Sequence, residues 1–331
     1  MDGLLRLFFR GKSGAVERPK SVLVSNLAHL GDVILMTALL QVIRQTWPEV
    51  RIGVLVGSWA RMVVEDHPCV DRVHLVDHWK LNRGSLSRWK KLYIYWQTKR
   101  QAVKEMRGYD LAIDGYTYFP NAIPLFWAAG IPTRIGYVSG GFGPLLTHRL
   151  EWREENLHAT GYGLALLEAA GIRNEVAEPL LRPLLPSQPK KEEGNEYVVI
   201  HMGTGAPEKE WPLERWRELV QALEGRRLVF TGRGPREKEH IRQVMQGIKG
   251  AVNLCDMLAW KELLQMIQHA QLLIGVDSMA GHLAAVWEVP SILIYAGATH
   301  VCEWRPLNPQ CQLLEGDISV DEVLARVAVQ R

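Results

Sequence analysis

The four cysteines of this chain, Cys69, Cys255, Cys302 and Cys311, are scattered without a Cys-x-x-Cys spacing. That suits a reducing compartment and argues against a structural zinc site. No stretch of 18 uncharged apolar residues occurs, so a spanning helix is not expected. The first 20 residues are apolar over too short a distance, and lack a small-residue cleavage point, so no signal peptide is expected. A complete G-x-G-x-x-G is also missing; the nearest approach, Gly232-Arg233-Gly234, leaves a nicotinamide-dependent oxidoreductase without its fingerprint. Net charge is small: 39 Lys and Arg against 36 Asp and Glu give +3.

What is present is an ordinary globular composition, 47% hydrophobic and 23% charged over 331 residues, long for one core and comfortable for two. The charge is unevenly placed. Residues 80–107 hold nine Lys or Arg and one acid, Glu105, interleaved with Trp89, Tyr93, Tyr95 and Trp96 and preceded by Trp79. Such a segment is either a solvated helix face or a surface for an anionic partner: phosphorylated lipid, phosphorylated sugar or nucleic acid. The N-terminal run LLRLFFRGK adds a small basic, apolar patch suited to a membrane surface.

Short apolar strands alternate with helical patterns in two rounds. The first holds strands at SVLVS, RIGVLVG, RVHLVD, DLAIDG and RIGYV, with a helix over 33–47 ended by Pro48. The second holds strands at YVVIH, RLVFTG, QLLIGVD and SILIYAG among five helices, the last at SVDEVLARVAV. Alternation of this kind implies parallel sheets covered on both faces. Residues 178–196, with four prolines, a charge cluster and no helical period, read as a linker. The expected organisation is an extension at 1–20, a Rossmann-like domain at 21–177, the linker at 178–196 and a second Rossmann-like domain at 197–331. Ligands of such sheets bind beyond the carboxyl ends of the strands, which makes a cleft between two facing sheets the expected site.

Four strand-to-helix elbows carry unusual residues. Gly31-Asp32 puts a lone carboxylate where an apolar helix begins: a helix cap, or a general base for a substrate hydroxyl. In HMGTGAPEKEWP, Gly203 and Gly205 can turn amides toward an anion, Thr204 adds a hydroxyl, and Lys209 is either solvated or a charge on phosphate. In TGRGPREKEHI, Glu237 is either a dipole partner or a ligand for a ribose diol. In GVDSMAGHLAAV, Asp277 ends a buried strand and Ser278 can cap the next helix. The amides of Met279, Ala280 and Gly281 offer an anion site there, and His282 shares the face of Ser278.

Taken together, NLAHLGDVILMTALLQVIRQTWP, KEWPLERWRELV and IGVDSMAGHLAAVWEVPSILIYAGAT resemble glycosyltransferase family 9, the ADP-heptose:lipopolysaccharide heptosyltransferases. The resemblance implies a GT-B fold, acceptor side first and nucleotide-sugar side second, and inversion at the anomeric carbon without a metal or other cofactor. It implies that Asp32 is the base and that Lys209, with Thr204, meets the donor phosphates. Glu237 would hold the ribose, and Asp277 through His282 the phosphate end of the donor. Met279 stands where the family signature usually has glycine. On the acceptor side Gly31, Lys90, Lys91 and Arg100 are the candidates, and no Asp-x-Asp occurs that would hold a bridging metal. The expected partners are a nucleotide sugar, ADP-linked, and an anionic glycan or glycolipid, with no nucleic acid; the expected location is cytoplasmic, peripheral on the membrane. A nucleotide-sugar epimerase of the same fold and a non-catalytic nucleotide-sugar binder are the alternatives.

Overall fold

The computed structural model describes residues 18–153, 157–172, 182–188, 196–297 and 300–329. The basic N-terminal patch LLRLFFRGK therefore lies outside the described residues, as does the expected extension apart from residues 18–20. The chain divides into two units, residues 1–186 and 187–331.

In the first unit β1 (Ser21–Asn26), β2 (Arg51–Val56), β3 (Arg72–Leu75), β4 (Leu111–Asp114), β5 (Thr133–Tyr137) and β6 (His148–Leu150) form one sheet in the order β3-β2-β1-β4-β5-β6. In the second, β7 (Val198–His201), β8 (Leu228–Thr231), β9 (Val252–Asn253), β10 (Leu272–Val276), β11 (Ser291–Tyr295) and β12 (Cys311–Glu315) form a sheet in the order β12-β11-β10-β7-β8-β9. Every pairing is parallel. Read from its first strand, each sheet has the same doubly wound order, with the strand order reversing between β1 and β4 and between β7 and β10. Ligands of such sheets gather outside the carboxyl ends of the strands at that reversal.

The helices follow from the same apolar runs. They are α1 (Leu30–Thr46), α2 (Arg61–Val64), α3 (Arg88–Glu105), α4 (Ile123–Ala128) and α5 (Ala159–Ala169), then α6 (Leu213–Ala222), α7 (Pro235–Val244), α8 (Trp260–Gln268), α9 (Met279–Val286), α10 (Val301–Trp304) and α11 (Val320–Val329). All residues from Val33 to Leu40 are buried, so α1 is wedged against its surroundings on more than one side. This accounts for the lack of polar residues after Asp32. In the second unit Trp211 and Trp216 meet edge to face at 4.9 Å, and Trp211 Nε1 donates to Ile318 O at 2.9 Å, fastening the start of α6 to the chain before α11.

The structure adds three short strands to those read from sequence: β6, β9 and β12. α1 starts at Leu30 rather than Val33. The described part of the proline-rich segment is tied down: Gln41 Nε2 donates to Arg182 O at 2.9 Å and Leu184 N donates to Thr37 Oγ1 at 3.0 Å, while Gln188 N donates to Gln268 Oε1 at 2.7 Å. Among the described residues no helix is long and apolar enough to cross a membrane.

Candidate active site

At the reversal point of the first sheet, the β1–α1 elbow meets the end of β4. Asn26 Oδ1 accepts Ala28 N at 3.0 Å, which turns the chain out of the strand. The helix opens with His29 as its N-cap, and Asp32 Oδ2 accepts His29 N at 3.2 Å. Asp32 is therefore not the cap. It is the third residue of the first turn, reaching back to satisfy a donor of the cap residue. Gly31 lies inside that turn and is half-buried.

Asp114 stands beside Ser25 in the register and is 1% exposed. Its carboxylate accepts Ser25 Oγ at 2.9 Å, Ala122 N at 2.9 Å and Tyr116 N at 3.3 Å. Burial pushes its carboxyl up to about 6 despite those donors. It thereby clamps the loop that carries Tyr116 against the elbow. Burial, and next the Asp32 charge, push the Tyr116 phenol up to about 12, so this hydroxyl stays protonated in the field of Asp32. His29 is pulled down to about 4, by burial first and then by Arg83, so it is neutral near pH 7. Asp32 thus bonds the backbone of a residue whose imidazole is neutral and acts on a phenol that stays protonated, while the Arg83 guanidinium acts on both of those side chains.

The reversal point of the second sheet holds the other candidates. Thr204 Oγ1 donates to Asp277 O at 3.1 Å, and Lys209 Nζ donates to Asp277 Oδ2 at 2.6 Å. Both side chains converge on the end of β10, where α9 begins. Ser278 occupies the N-cap position without capping: its Oγ is buried and has no hydrogen-bond partner among the described residues. Gly281 N donates to Ser278 O at 3.2 Å, so of the three expected amides only those of Met279 and Ala280 remain for an anion. Gly281 is needed for packing instead, since a Cβ there would meet Leu293 Cδ1 at 2.6 Å. Met279 is half-buried at the helix start, and His282 is buried on the turn behind it.

Gly203 also has a different reason from the expected one. A Cβ there would lie 2.1 Å from Glu237 Oε2, so the glycine makes room for that carboxylate rather than for a strained turn. Glu237 Oε2 accepts Arg233 N at 2.8 Å, and burial raises its carboxyl against the pull of that amide. Asp256 Oδ1 accepts Gly234 N at 2.9 Å from a left-handed backbone (φ 61°), steadying the same loop.

The sequence reading missed Tyr116, Arg83 and Asp114. Asp114 carried a signal, because DLAID ends a buried strand in an acid as LLIGVD does; Arg83 was counted in the basic run 80–107 without being singled out, and Tyr116 carried no signal. Of the expected acceptor-side cations, Lys90, Lys91 and Arg100 all lie on α3. Lys91 Nζ donates to Asn82 O at 2.8 Å, and the Arg100 guanidinium lies 4.7 Å from the centre of the Trp96 ring. Arg83, which precedes α3, acts electrostatically on His29 and on Tyr116. Among the described residues no group of three or more His, Cys, Asp or Glu is placed to hold a metal ion.

The model of glycosyltransferase family 9 (heptosyltransferase) matches residues 98–323, more than half of the chain. This chain belongs to glycosyltransferase family 9. Lipopolysaccharide heptosyltransferase 3 of Escherichia coli K12 is 23% identical over 298 residues, 83% of this chain and 82% of that protein. The family 9 glycosyl transferase of Veillonella parvula superposes with a TM-score of 0.79 at 19% identity, covering 96% of this chain and 98% of its own. The E. coli heptosyltransferase WaaC, solved with ADP and with ADP-2-deoxy-2-fluoro heptose, superposes at 0.74 and 18% identity over 94% of this chain and all of its own. The two doubly wound sheets are the GT-B fold, and the protein is a glycosyltransferase.

Proposed function

We propose that this glycosyltransferase moves a heptose or related sugar from an ADP-linked donor to a lipopolysaccharide-type or other anionic, lipid-linked glycan, with inversion and without a metal. The donor class is carried over from WaaC, whose structures hold ADP and an ADP-heptose analogue. The observation that carries the donor reading is the unpartnered, buried Ser278 Oγ beside Lys209 and the open amides of α9. A diphosphate oxygen supplies the acceptor that this hydroxyl lacks and is stabilised by the helix terminus and the lysine. Thr204 steadies the same strand end, Glu237 takes the ribose diol, and Asp277, Met279, Ala280, Gly281 and His282 shape the phosphate end.

In the first unit an acceptor hydroxyl gives its proton to Asp32. Its oxygen forms a bond to the anomeric carbon as the bond from that carbon to the diphosphate oxygen breaks, and the electron pair leaves with ADP. Tyr116 and neutral His29 hold no charge that competes for the proton. Arg83, before α3, with Lys90 and Lys91 on α3, meets anionic groups of the acceptor, and Gly31 leaves the approach to the carboxylate open. A lipid-linked acceptor places the protein peripherally on the cytoplasmic membrane face.

The test is a product assay with ADP-heptose, with and without a lipopolysaccharide-core acceptor. ADP release that depends on acceptor, with an inverted linkage by NMR, is the expected result. A new donor epimer formed without acceptor would replace this reading with an epimerase, and donor binding without turnover would leave a binding protein. The epimerase reading is not favoured by the resemblance to named heptosyltransferases.

A further inference from the structure

α3 presents an exposed aromatic and basic surface in the first unit. Its inner face is fastened: Ala102 is buried in the core, Tyr95 and Val103 pack against it, and Thr98 Oγ1 accepts Asp77 N at 3.1 Å. The outer face is left open. Trp89 is 82% exposed, Tyr93 58% and Trp96 53%. Spaced by four and three residues, with Arg100 four residues on, they fall in one stripe along the helix, about 17 Å long at 1.5 Å per residue.

Large aromatic rings are seldom left this exposed on a fastened helix unless something covers them. The charge around the stripe says what. α3 carries Arg88, Lys90, Lys91, Lys99, Arg100 and Lys104, and its only acid, Glu105, is turned inward onto His74 Nδ1 at 3.1 Å. A protein partner could match an apolar stripe or a basic one. A stripe of Trp and Tyr with cations on both flanks and no outward acid fits the headgroup layer of an anionic bilayer, where amphipathic rings seat and cations meet lipid phosphates.

We propose that the outward face of α3, formed by Trp89, Tyr93, Trp96 and Arg100, is the surface on which this protein lies against an anionic lipid bilayer, its rings seated at headgroup depth. The proposal rests on the membrane contact named above and assigns it to one helix face. Lipid binding is measured without turnover, so the transfer reading and this one fail separately.

The experiment uses the full chain and vesicles of phosphatidylcholine alone or mixed with phosphatidylglycerol. The wild type is expected to co-sediment with the mixed vesicles at low salt and to be released as salt rises. Its tryptophan emission is expected to be quenched by lipids brominated near the headgroup. Trp89→Ala/Tyr93→Ala/Trp96→Ala should lower partitioning at least about tenfold and lose most of that quenching. Its melting temperature and its transfer rate to a water-soluble acceptor should not change. Trp89→Ala alone, too exposed to disturb folding, should lower partitioning in part. Partitioning unchanged in both variants, equal binding to both vesicle types, or self-association in solution that the triple variant disperses would overturn the proposal.

Discussion

Lys209 Nζ lies 2.6 Å from Asp277 Oδ2, so the cation proposed for the leaving diphosphate is already paired with a carboxylate only 8% exposed. An acid next to a diphosphate is unfavourable unless its charge is offset, and Lys209 offsets it. Removing the lysine therefore removes a positive charge and also uncovers a negative one.

Lys209→Ala is expected to lower kcat/KM by about 2–4 kcal/mol of transition-state stabilisation, roughly 30- to 1,000-fold. Lys209→Ala/Asp277→Asn should lose less than the two single losses added, because the uncovered charge is gone. Steady-state kinetics with the donor varied would decide it. An unchanged kcat and donor KM in Lys209→Ala would leave the pair a structural contact.

Ser278→Ala tests the other half of the phosphate cradle. A buried hydroxyl without a partner costs stability, so its removal should leave the melting temperature unchanged or raise it. ADP affinity should fall by about 1.5–3 kcal/mol, the usual worth of a hydrogen bond to a charged group. Calorimetric titration with ADP reads this directly, and an unchanged affinity would take the diphosphate away from Ser278.

Much of this arrangement was legible in the sequence because parallel strands buried on both faces leave unbroken apolar runs, and their ends mark the elbows. Asp32, Lys209 and Ser278 stand out against such runs. What was not legible depends on contacts distant in sequence. Asp114 reaches Ser25 across 89 positions, and Tyr116 feels the Asp32 charge because β4 pairs with β1. Gly203 was read as a turn glycine, yet its reason is Glu237, 34 residues away. The short edge strands β6, β9 and β12 were missed because a half-exposed edge strand lacks the continuous apolar run of a central one.

Acid should weaken the fold through its buried histidines. His67 and His201 are each pulled down to about 4, chiefly by burial, and His201 Nδ1 is paired with Thr231 Oγ1 at 2.9 Å. A histidine lowered in the folded state contributes stability that is whole above about pH 6.5 and is lost as pH falls toward 4, because the unfolded chain takes the proton first. Asp114, raised by burial, works in the opposite direction over about pH 4 to 6, and one such carboxyl partly offsets the histidines. Thermal melts between pH 7 and 4 should show a falling midpoint, with a shallower fall in His201→Asn. A flat profile would mean these rings are protonated when folded.

Chelation tests the donor chemistry from outside. Lys209 and the α9 amides are proposed to take the charge of the departing diphosphate, so activity should survive EDTA. A loss of activity restored by Mg²⁺ or Mn²⁺ would reassign that stabilisation to a metal.

The sharpest test falls on Asp32. As the third residue of the first turn, its carboxylate accepts the His29 amide, and this contact gives it a purely structural reason to exist. Asn in its place keeps a side-chain oxygen for that amide, so Asp32→Asn should fold with a melting temperature close to wild type, and any lost capping should cost less than about 1 kcal/mol. ADP binding should hardly change, because the proposed donor contacts lie in the second unit. The amide cannot take a proton from the acceptor hydroxyl, and loss of a general base typically slows a reaction by about 10²–10⁴-fold. Asp32→Ala separates the two roles further: it should lose both the base and the contact with His29, adding a fall in melting temperature to the same fall in rate. Should Asp32→Asn retain more than about a tenth of the wild-type kcat, above the range for a lost base, the carboxylate belongs to the helix and not to the reaction.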